Sequence, residues 1–413
     1  MFQYILSSTF FFFLVLFTYI KIRYPFWNIQ PVFHTYDYWR YFYWTPFFIY
    51  HYRPIKTKFC DFNNVITTNL SDCNDQMMNE VTNLLQCYYV SSDRILHNIT
   101  QQNIRTILTG IREPTYISLY CEKTLDKPTN DSDITTVYKP MGCITSRAFN
   151  MHYRPTLKEN MYSELPLYYI DYLCVQREQD TRKITRKLYQ THEYNQRIQN
   201  PNILVSLIKK EIDLCEGVVP FIQYNSMTFY LRKNNPRELP KEFQIISLTK
   251  ENIDILTDFL DIQTNMRFDN QPCLFDICIT QHSGYYLSLI NDKQMHIYCL
   301  RSEGQVYGLY FFKDTKTQYD DIEGNTLQCV ASVMNSENME LFYTGFLHSL
   351  ELINKNNYYK MFIIENIGHN TSILSHWRTR YTPIFTNKTA YYLYNFVFPR
   401  SPIPPESCLV LSV

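Results

Sequence analysis

The chain opens on a run without a charged position. Residues 2–20 carry none, and Phe10-Phe11-Phe12-Phe13-Leu14-Val15-Leu16-Phe17 is apolar throughout. A bilayer-spanning helix needs about 20 predominantly apolar residues, so residues 1–22 are predicted to form a membrane anchor. Lys21 and Arg23 follow the run. By the positive-inside rule this leaves the body of the chain in the cytoplasm. Two rivals stand beside the anchor. A cleaved signal peptide would want its basic residues in front and a small-residue cleavage site behind; the other rival is a buried helix. Residues 33–52 then hold twelve aromatics in twenty positions, with Asp37, Arg40 and Pro46 among them. Tyr and Trp favour the membrane–water interface, so this stretch reads either as a segment lying on a bilayer or as an aromatic core segment.

Beyond it the pattern moves between a period near 3.6 and a period near 2. Met77, Val81, Leu84, Leu85 and Tyr88 recur at helical spacing across 73–90, and a shorter helix is predicted over 104–111. Strands are predicted at 116–120 and 141–145, with a turn over 126–131 between them. The run 167–175 reads as a long buried strand, followed by a charged loop and a helix starting near Arg186. Residues 204–214 fit a strand or a helix equally. Residues 229–242, rich in Asn, Pro and charge, read as a crossing. The rhythm then restarts with a helix at 253–259 and strands at 295–299, 306–312 and 327–333. A helix at 342–352 and strands at 360–365 and 390–398 complete it. This is a mixed α/β (α+β) chain in two halves, 23–240 and 241–413, alike in element order.

Composition narrows the classes. At 413 residues with 45% hydrophobic and 19% charged positions, the chain suits two packed units. Lys+Arg and Asp+Glu are both 39, so there is no basic surplus and no nucleic-acid partner is expected. Gly is only 9 of 413, so any cofactor loop works without a glycine-rich cradle. Twelve Cys include no CxxC pair, and no spacing reads as a metal site. Reduced, mostly buried thiols are expected rather than a disulfide framework. No GxSxG, Walker or HExxH motif is present.

Several segments, taken in order, resemble those of the N-myristoyltransferase family. They are Arg23-Tyr24-Pro25-Phe26-Trp27 with Gln30-Pro31-Val32, Met141-Gly142-Cys143-Ile144 to Asn150-Met151-His152, and Asp171-Tyr172-Leu173-Cys174-Val175. Glu216-Gly217-Val218-Val219, Asn235-Pro236-Arg237-Glu238-Leu239, Tyr391-Tyr392-Leu393-Tyr394-Asn395 and Leu409-Val410-Leu411 follow. The likeness is to divergent versions of the kind carried by large DNA viruses. It implies two fused GNAT-like (acyl-CoA N-acyltransferase) halves on a continuous mixed sheet. It also implies a monomer that moves a long-chain acyl group from acyl-CoA, such as myristoyl-CoA, to the N-terminal amine of a peptide. The acyl-CoA is then a co-substrate, with no tightly bound cofactor.

Such transfer needs an oxyanion hole, a base for the amine, and both substrates in attack geometry. The resemblance points to the backbone of Tyr172 and Leu173 for the hole and to the terminal carboxylate of Val413 for the base. It points to Tyr24, Phe26, Trp27, Cys174, Val175, Arg182, Lys183, Ile184 and Thr185 for acyl-CoA, and to Asn150, Cys215, Gly217 and Phe229 for the acceptor. Asp180 stands where relatives carry Arg, Thr185 replaces an Ala, and Cys215 replaces a Thr. Residues 96–100 lack the aromatics of the family's peptide groove. His97 is a spare titratable group, read as a surface residue or a catalyst. Two further readings share the fold: a GNAT-type N-acetyltransferase, and an inactive membrane-anchored scaffold.

Overall fold

The computed structural model of the protein describes residues 2–90, 95–109, 112–126, 135–154, 163–177, 180–233, 236–264, 274–356 and 358–412. Most of the predicted turn at 126–131, and Asn235, Cys273 and Val413, lie outside them. The first half runs α1 (Phe2–Arg23), β1 (Phe47–Phe48), β2 (Val65–Asn69), α2 (Asp75–Tyr88), β3 (Ile95–His97), α3 (Gln101–Leu108), β4 (Tyr116–Asp126), β5 (Thr135–Tyr153), β6 (Ser163–Val175), α4 (Thr181–Gln199), β7 (Val205–Glu211) and β8 (Ile222–Tyr230). The second runs β9 (Gln244–Ser247), α5 (Asp254–Thr264), β10 (Ile277–Thr280), α6 (Ser283–Asn291), β11 (Met295–Ser302), β12 (Gln305–Tyr319), β13 (Asn325–Met334), α7 (Met339–Ile353), β14 (Tyr359–Glu365), α8 (Asn370–Trp377), β15 (Phe385–Tyr394), β16 (Phe396–Val397) and β17 (Cys408–Val410).

One mixed sheet joins both halves in the order β17-β10-β5-β6-β7-β15-β8-β14-β13-β12-β11-β9, with β4 beside β5, β2 beside β4 and β3 beside β12. The halves interleave: β15 sits between β7 and β8, and β10 and β17 lie beyond β5. Three strand pairs of the sheet are parallel: β6 with β7, β13 with β14, and β10 with β17 at the edge. The first two are joined by a single crossover helix, α4 or α7. Alternate residues of these strands feed different cores. Leu167, Tyr169, Val205 and Leu207 join one cluster with α2 and α3. Ile170 and Ile208 join another with Ile184, Leu188 and Tyr189 of α4. A third cluster gathers α7 and α8 around Trp377.

Local chemistry explains where the helices start. Asn74 caps α2, accepting from the Met77 N–H at 2.8 Å, and Thr100 and Asn103 form a capping box on α3. Asp180 caps α4, accepting from the Lys183 N–H. That cap starts the helix at Thr181, not near Arg186. Residues 205–211 are a strand, because the run lies between two other strands and both its faces are covered. Phe229 and Tyr230 belong to β8, so the crossing begins after them. The predicted strand 390–398 is broken at Asn395, whose φ is 65°. The Asn395 amide also bonds the Tyr50 backbone in both directions at 2.9 Å.

The helix α1 holds the one stretch among the described residues long and apolar enough to cross a membrane, Tyr4–Arg23, and none of it is buried against the body. A buried core helix is thereby ruled out; a membrane anchor and a signal sequence both fit. The aromatic core reading of the following stretch also fails where it is densest, because Tyr38 to Trp44 is exposed apart from Arg40.

Two titrating groups lie inside α4. His192 is fully buried with Nδ1 2.8 Å from Ser118 Oγ, and burial pushes its imidazole down to about 3. Its folded value lies below the unfolded one, so the unfolded chain takes up the proton first. Stability is then lost as pH falls from about 6.5 towards 3, at up to about 1.4 kcal/mol per pH unit. Glu193, pushed up to about 7 by burial, acts oppositely and loses stability as pH rises from 4.5 to 7. His97 and His369, both at about 4 through burial, reinforce the acid limb. The urea midpoint is therefore expected to fall between pH 6 and pH 4, and to fall less in His192→Gln.

Candidate active site

The parallel strands β6 and β7 pair only from Leu167–Val205 to Ile170–Ile208 and then part. Past that point β6 stays with β5, and β7 stays with β15. At the fork β6 also bulges. Cys174 pairs with Cys143 and Asp171 with Thr145, so Tyr172 and Leu173 together face Ile144. Tyr172 takes the left-handed conformation, φ 50°, a costly state for a tyrosine that the surrounding ladder must hold. Its N–H donates to Asp171 Oδ1 at 2.8 Å. The same carboxylate accepts from the Tyr89 hydroxyl at 3.3 Å and pairs with the buried Arg147 at 3.2 Å.

A matching fork opens between β13 and β14 beyond Cys329–Ile364, but α8 closes it. The Asn370 amide donates to the carbonyls of Glu365, Cys329 and Val330 at 2.9, 3.3 and 3.3 Å. At the first fork the strand ends carry charge. Lys209, the first residue of β7 past the pairing, bonds Glu365 at 2.5 Å and Glu211 at 3.0 Å. Glu365 is buried and also accepts from the Tyr224 hydroxyl at 2.9 Å and the Gln328 amide at 2.7 Å. Burial works against the Lys209 ammonium, yet Glu365 and its neighbours hold the Lys209 pKa well above its ordinary value. Lys313, on β12 opposite Gln328, interacts electrostatically with Asp171 and Lys209. Burial pushes its amine down to about 8, with Asp171 pulling the other way. His97 is buried against Tyr89, with both ring nitrogens unpartnered among the described residues; the surface reading of His97 is overturned.

The opposite face of the fork is apolar. Phe26 meets Trp27, Phe59 and Tyr189 edge-on at 5.0, 5.1 and 6.2 Å. Val175 and Ile184 share that cluster, and Leu173, Trp27 and Cys215 pack at its border. Tyr24 lies over Gly217, which has φ +78°; a Cβ there would come within 2.9 Å of the Tyr24 ring, so only glycine fits. The Asn395 N–H donates to the Pro31 carbonyl, and the Tyr394 hydroxyl to Gln30. Three distant segments, 23–32, 216–219 and 391–395, thus meet at one place. Over the start of α4 a cavity of 480 Å³ is lined by Lys58, Arg182, Lys183, Arg186, Lys187, Phe59 and Asp180. Among the described residues lining it Asp180 is the only acid, and its carboxylate already occupies one helix N–H. Lys187 is held by Asp61 at 2.6 Å.

No family model and no curated protein sequence matches the chain. Solved structures do. Saccharomyces cerevisiae N-myristoyltransferase with bound myristoyl-CoA superposes with a TM-score of 0.65 at 14% identity, covering 92% of this chain and 88% of the other. A second structure of that yeast enzyme with myristoyl-CoA gives 0.64 at 15%, covering 92% and 93%. A third, with myristoyl-CoA and inhibitors, gives 0.63 at 15%, covering 92% and 90%. This is the N-myristoyltransferase fold. These yeast structures lend no support to a viral source.

Within the N-myristoyltransferase fold the expected residues divide into groups. Tyr172, Leu173, Cys174 and Val175 form or follow the bulge. Cys174 Sγ lies 3.4 Å from Cys143 Sγ, both as free thiols. Tyr24, Phe26, Trp27, Ile184 and Gly217 build the apolar face, with Arg182 and Lys183 at the cavity and the part-buried Thr185 beside them on α4. Cys215 donates its N–H to the Tyr392 hydroxyl at 3.1 Å, and burial pushes its thiol up to about 12. Two acceptor candidates sit elsewhere. Asn150 is exposed on β5, opposite Thr280. Phe229 packs on Trp377 in the α7–α8 core, its ring 6.1 Å away. The tail enters the core as β17 alongside β10; Leu411 is buried and the Ser412 hydroxyl lies 3.0 Å from Tyr391 Oη. Sequence reasoning missed Arg147, Lys209, Glu365 and Lys313, which come from four strands.

Proposed function

We propose that this protein transfers a long-chain acyl group from acyl-CoA to an amine, with the N-terminal amine of a peptide as acceptor. It would work at the cytoplasmic face of a membrane that α1 spans. The bulged fork of β6 and β7 is the observation that carries the reading. A thioester lying in the fork would present its carbonyl oxygen to the backbone of Tyr172 and Leu173. Its acyl chain would run into the cluster headed by Phe26, and its phosphates would meet the basic cavity at the start of α4. The amine nitrogen attacks the thioester carbon and the C–S bond breaks with its electron pair on sulfur; the proton lost by the nitrogen passes through the base to that sulfur, so CoA departs as thiol. The family resemblance assigns that base to the carboxylate of Val413, which follows Ser412 in sequence.

Acyl-CoA binding to the full chain in detergent, by calorimetry, tests this with myristoyl-CoA against acetyl-CoA. Tight binding that grows with chain length supports it. Equal binding of acetyl-CoA favours an N-acetyltransferase, and binding of neither overturns it. The triple change Arg182→Ala, Lys183→Ala, Arg186→Ala is expected to weaken myristoyl-CoA binding about 10- to 100-fold. It should also flatten the salt dependence, because exposed charges act through screened attraction. An inactive scaffold is the second reading. It is favoured by two carboxylates, Asp171 on the Tyr172 N–H and Asp180 on the Lys183 N–H, each engaging a donor that a ligand would use.

A further inference from the structure

We propose that residues 38–44 form a second membrane contact, an aromatic platform that rests in the headgroup layer of the bilayer spanned by α1. The proposal rests on the anchor reading of α1. Trp44, Trp39, Phe42 and Tyr38 are 87%, 83%, 75% and 69% exposed. Past residue 62 the exposed large apolar side chains of the body are scattered along the chain. Single exposed apolar residues need no explanation, but a contiguous group of this size marks a contact surface.

The platform is held, not loose. Tyr38–Phe42 is a turn of 3₁₀ helix. The Tyr41 ring packs on the buried Phe33 at 4.6 Å, and Tyr43 on Phe47 at 4.8 Å. Phe47 and Phe48 pair with Val397 and Phe396, and the Tyr50 N–H donates to Asn395. Arg40, the only Lys, Arg, Asp or Glu in 38–52, turns its guanidinium back onto the Val32 carbonyl at 3.0 Å and onto Asp37. The outward face is left to rings.

Two observations select a bilayer over a second copy of the chain. One is the residue types. Trp and Tyr have an apolar body and one polar tip, which suits the headgroup level. The other is position. The exit of α1 is fixed beside the platform: Arg23 pairs with Glu216 at 2.6 Å, Tyr24 stacks on Tyr36, and Tyr36 stacks on His34. A bilayer holding α1 therefore lies close to the platform. Phe26 and Trp27, at the head of the apolar cluster, follow α1 directly, so a platform here would hold the acyl entrance against the lipid.

The test uses the full chain in phosphatidylcholine vesicles. The protein has four tryptophans, Trp27, Trp39, Trp44 and Trp377. The fluorescence lost in W39F/W44F reports the platform. That component is expected to fall by about half with lipids brominated near the headgroup end of the acyl chain, and to resist aqueous iodide. Iodide quenching without lipid quenching overturns the proposal, and so does shielding from both, which would place a protein over the rings. Alkaline carbonate extraction separates the two readings. A chain that stays with the vesicles yet keeps Trp39 and Trp44 in water sinks the platform alone; a chain that is extracted sinks the anchor.

Discussion

Glu365→Ala is expected to destabilise the protein by about 3–5 kcal/mol, the usual cost of removing one partner of a buried ion pair. Glu365 is 2% exposed and takes three hydrogen bonds, from Lys209, Tyr224 and Gln328. Without it, Lys209 keeps, among the described residues, only the more exposed Glu211 as an ion-pair partner, and two neutral donors lose their acceptor. A companion variant isolates the charge. Lys209→Met with Glu365→Leu takes both ions away and should recover most of the loss. Urea midpoints of the two single variants and the double variant in detergent give the coupling. A double variant no better than Glu365→Ala would mean that packing, not the uncompensated ammonium, sets the cost.

Truncation after Ser407 is expected to leave no folded body. Cys408, Leu409, Val410 and Leu411 are all buried to within 1%. Three large aliphatic side chains at about 1.5–3 kcal/mol each sum to roughly 5–9 kcal/mol, comparable with the whole stability of a domain, about 5–15 kcal/mol. The cut also strips β10 of a parallel partner and opens a sheet edge. Circular dichroism with a protease time course reads the outcome. A truncated chain that melts like the parent would show that the tail is a late addition, not part of the core.

How much of this could be read from the chain depended on the range of the interactions. Helices α2 and α7 have one apolar stripe and local caps, so periodicity finds them. Long strands such as β6 are largely apolar, with Glu164 and Asp171 as the charged exceptions. By contrast α6 and α8 are short, and β10 and β17 are three or four residues whose strand character comes from each other and, for β10, from β5. Residues 204–214 could not be resolved because a strand covered on both faces has no alternation to detect. At the site, Tyr172 and Gly217 were legible through motif resemblance. The partners of the fork were not, since Arg147, Lys209, Lys313 and Glu365 are brought together only by strand order. His97 misled because a lone histidine in a polar loop says nothing about the sheet that will cover it. Asp180 was legible as an anomaly beside phosphate, but its role as a helix cap is visible only in the fold.

The place of β15 has a consequence for how the molecule comes into being. Ile208 of β7 must meet Tyr392, and Thr228 of β8 must meet Phe385. At ribosomal speeds of about 5–20 residues per second, the gap between β7 and β8 waits roughly 10–40 seconds for its filling strand. During that interval the nascent chain displays two unsatisfied edges. Whatever escorts such a chain, membrane surface or chaperone, must protect those edges until the last tenth of the protein has left the ribosome.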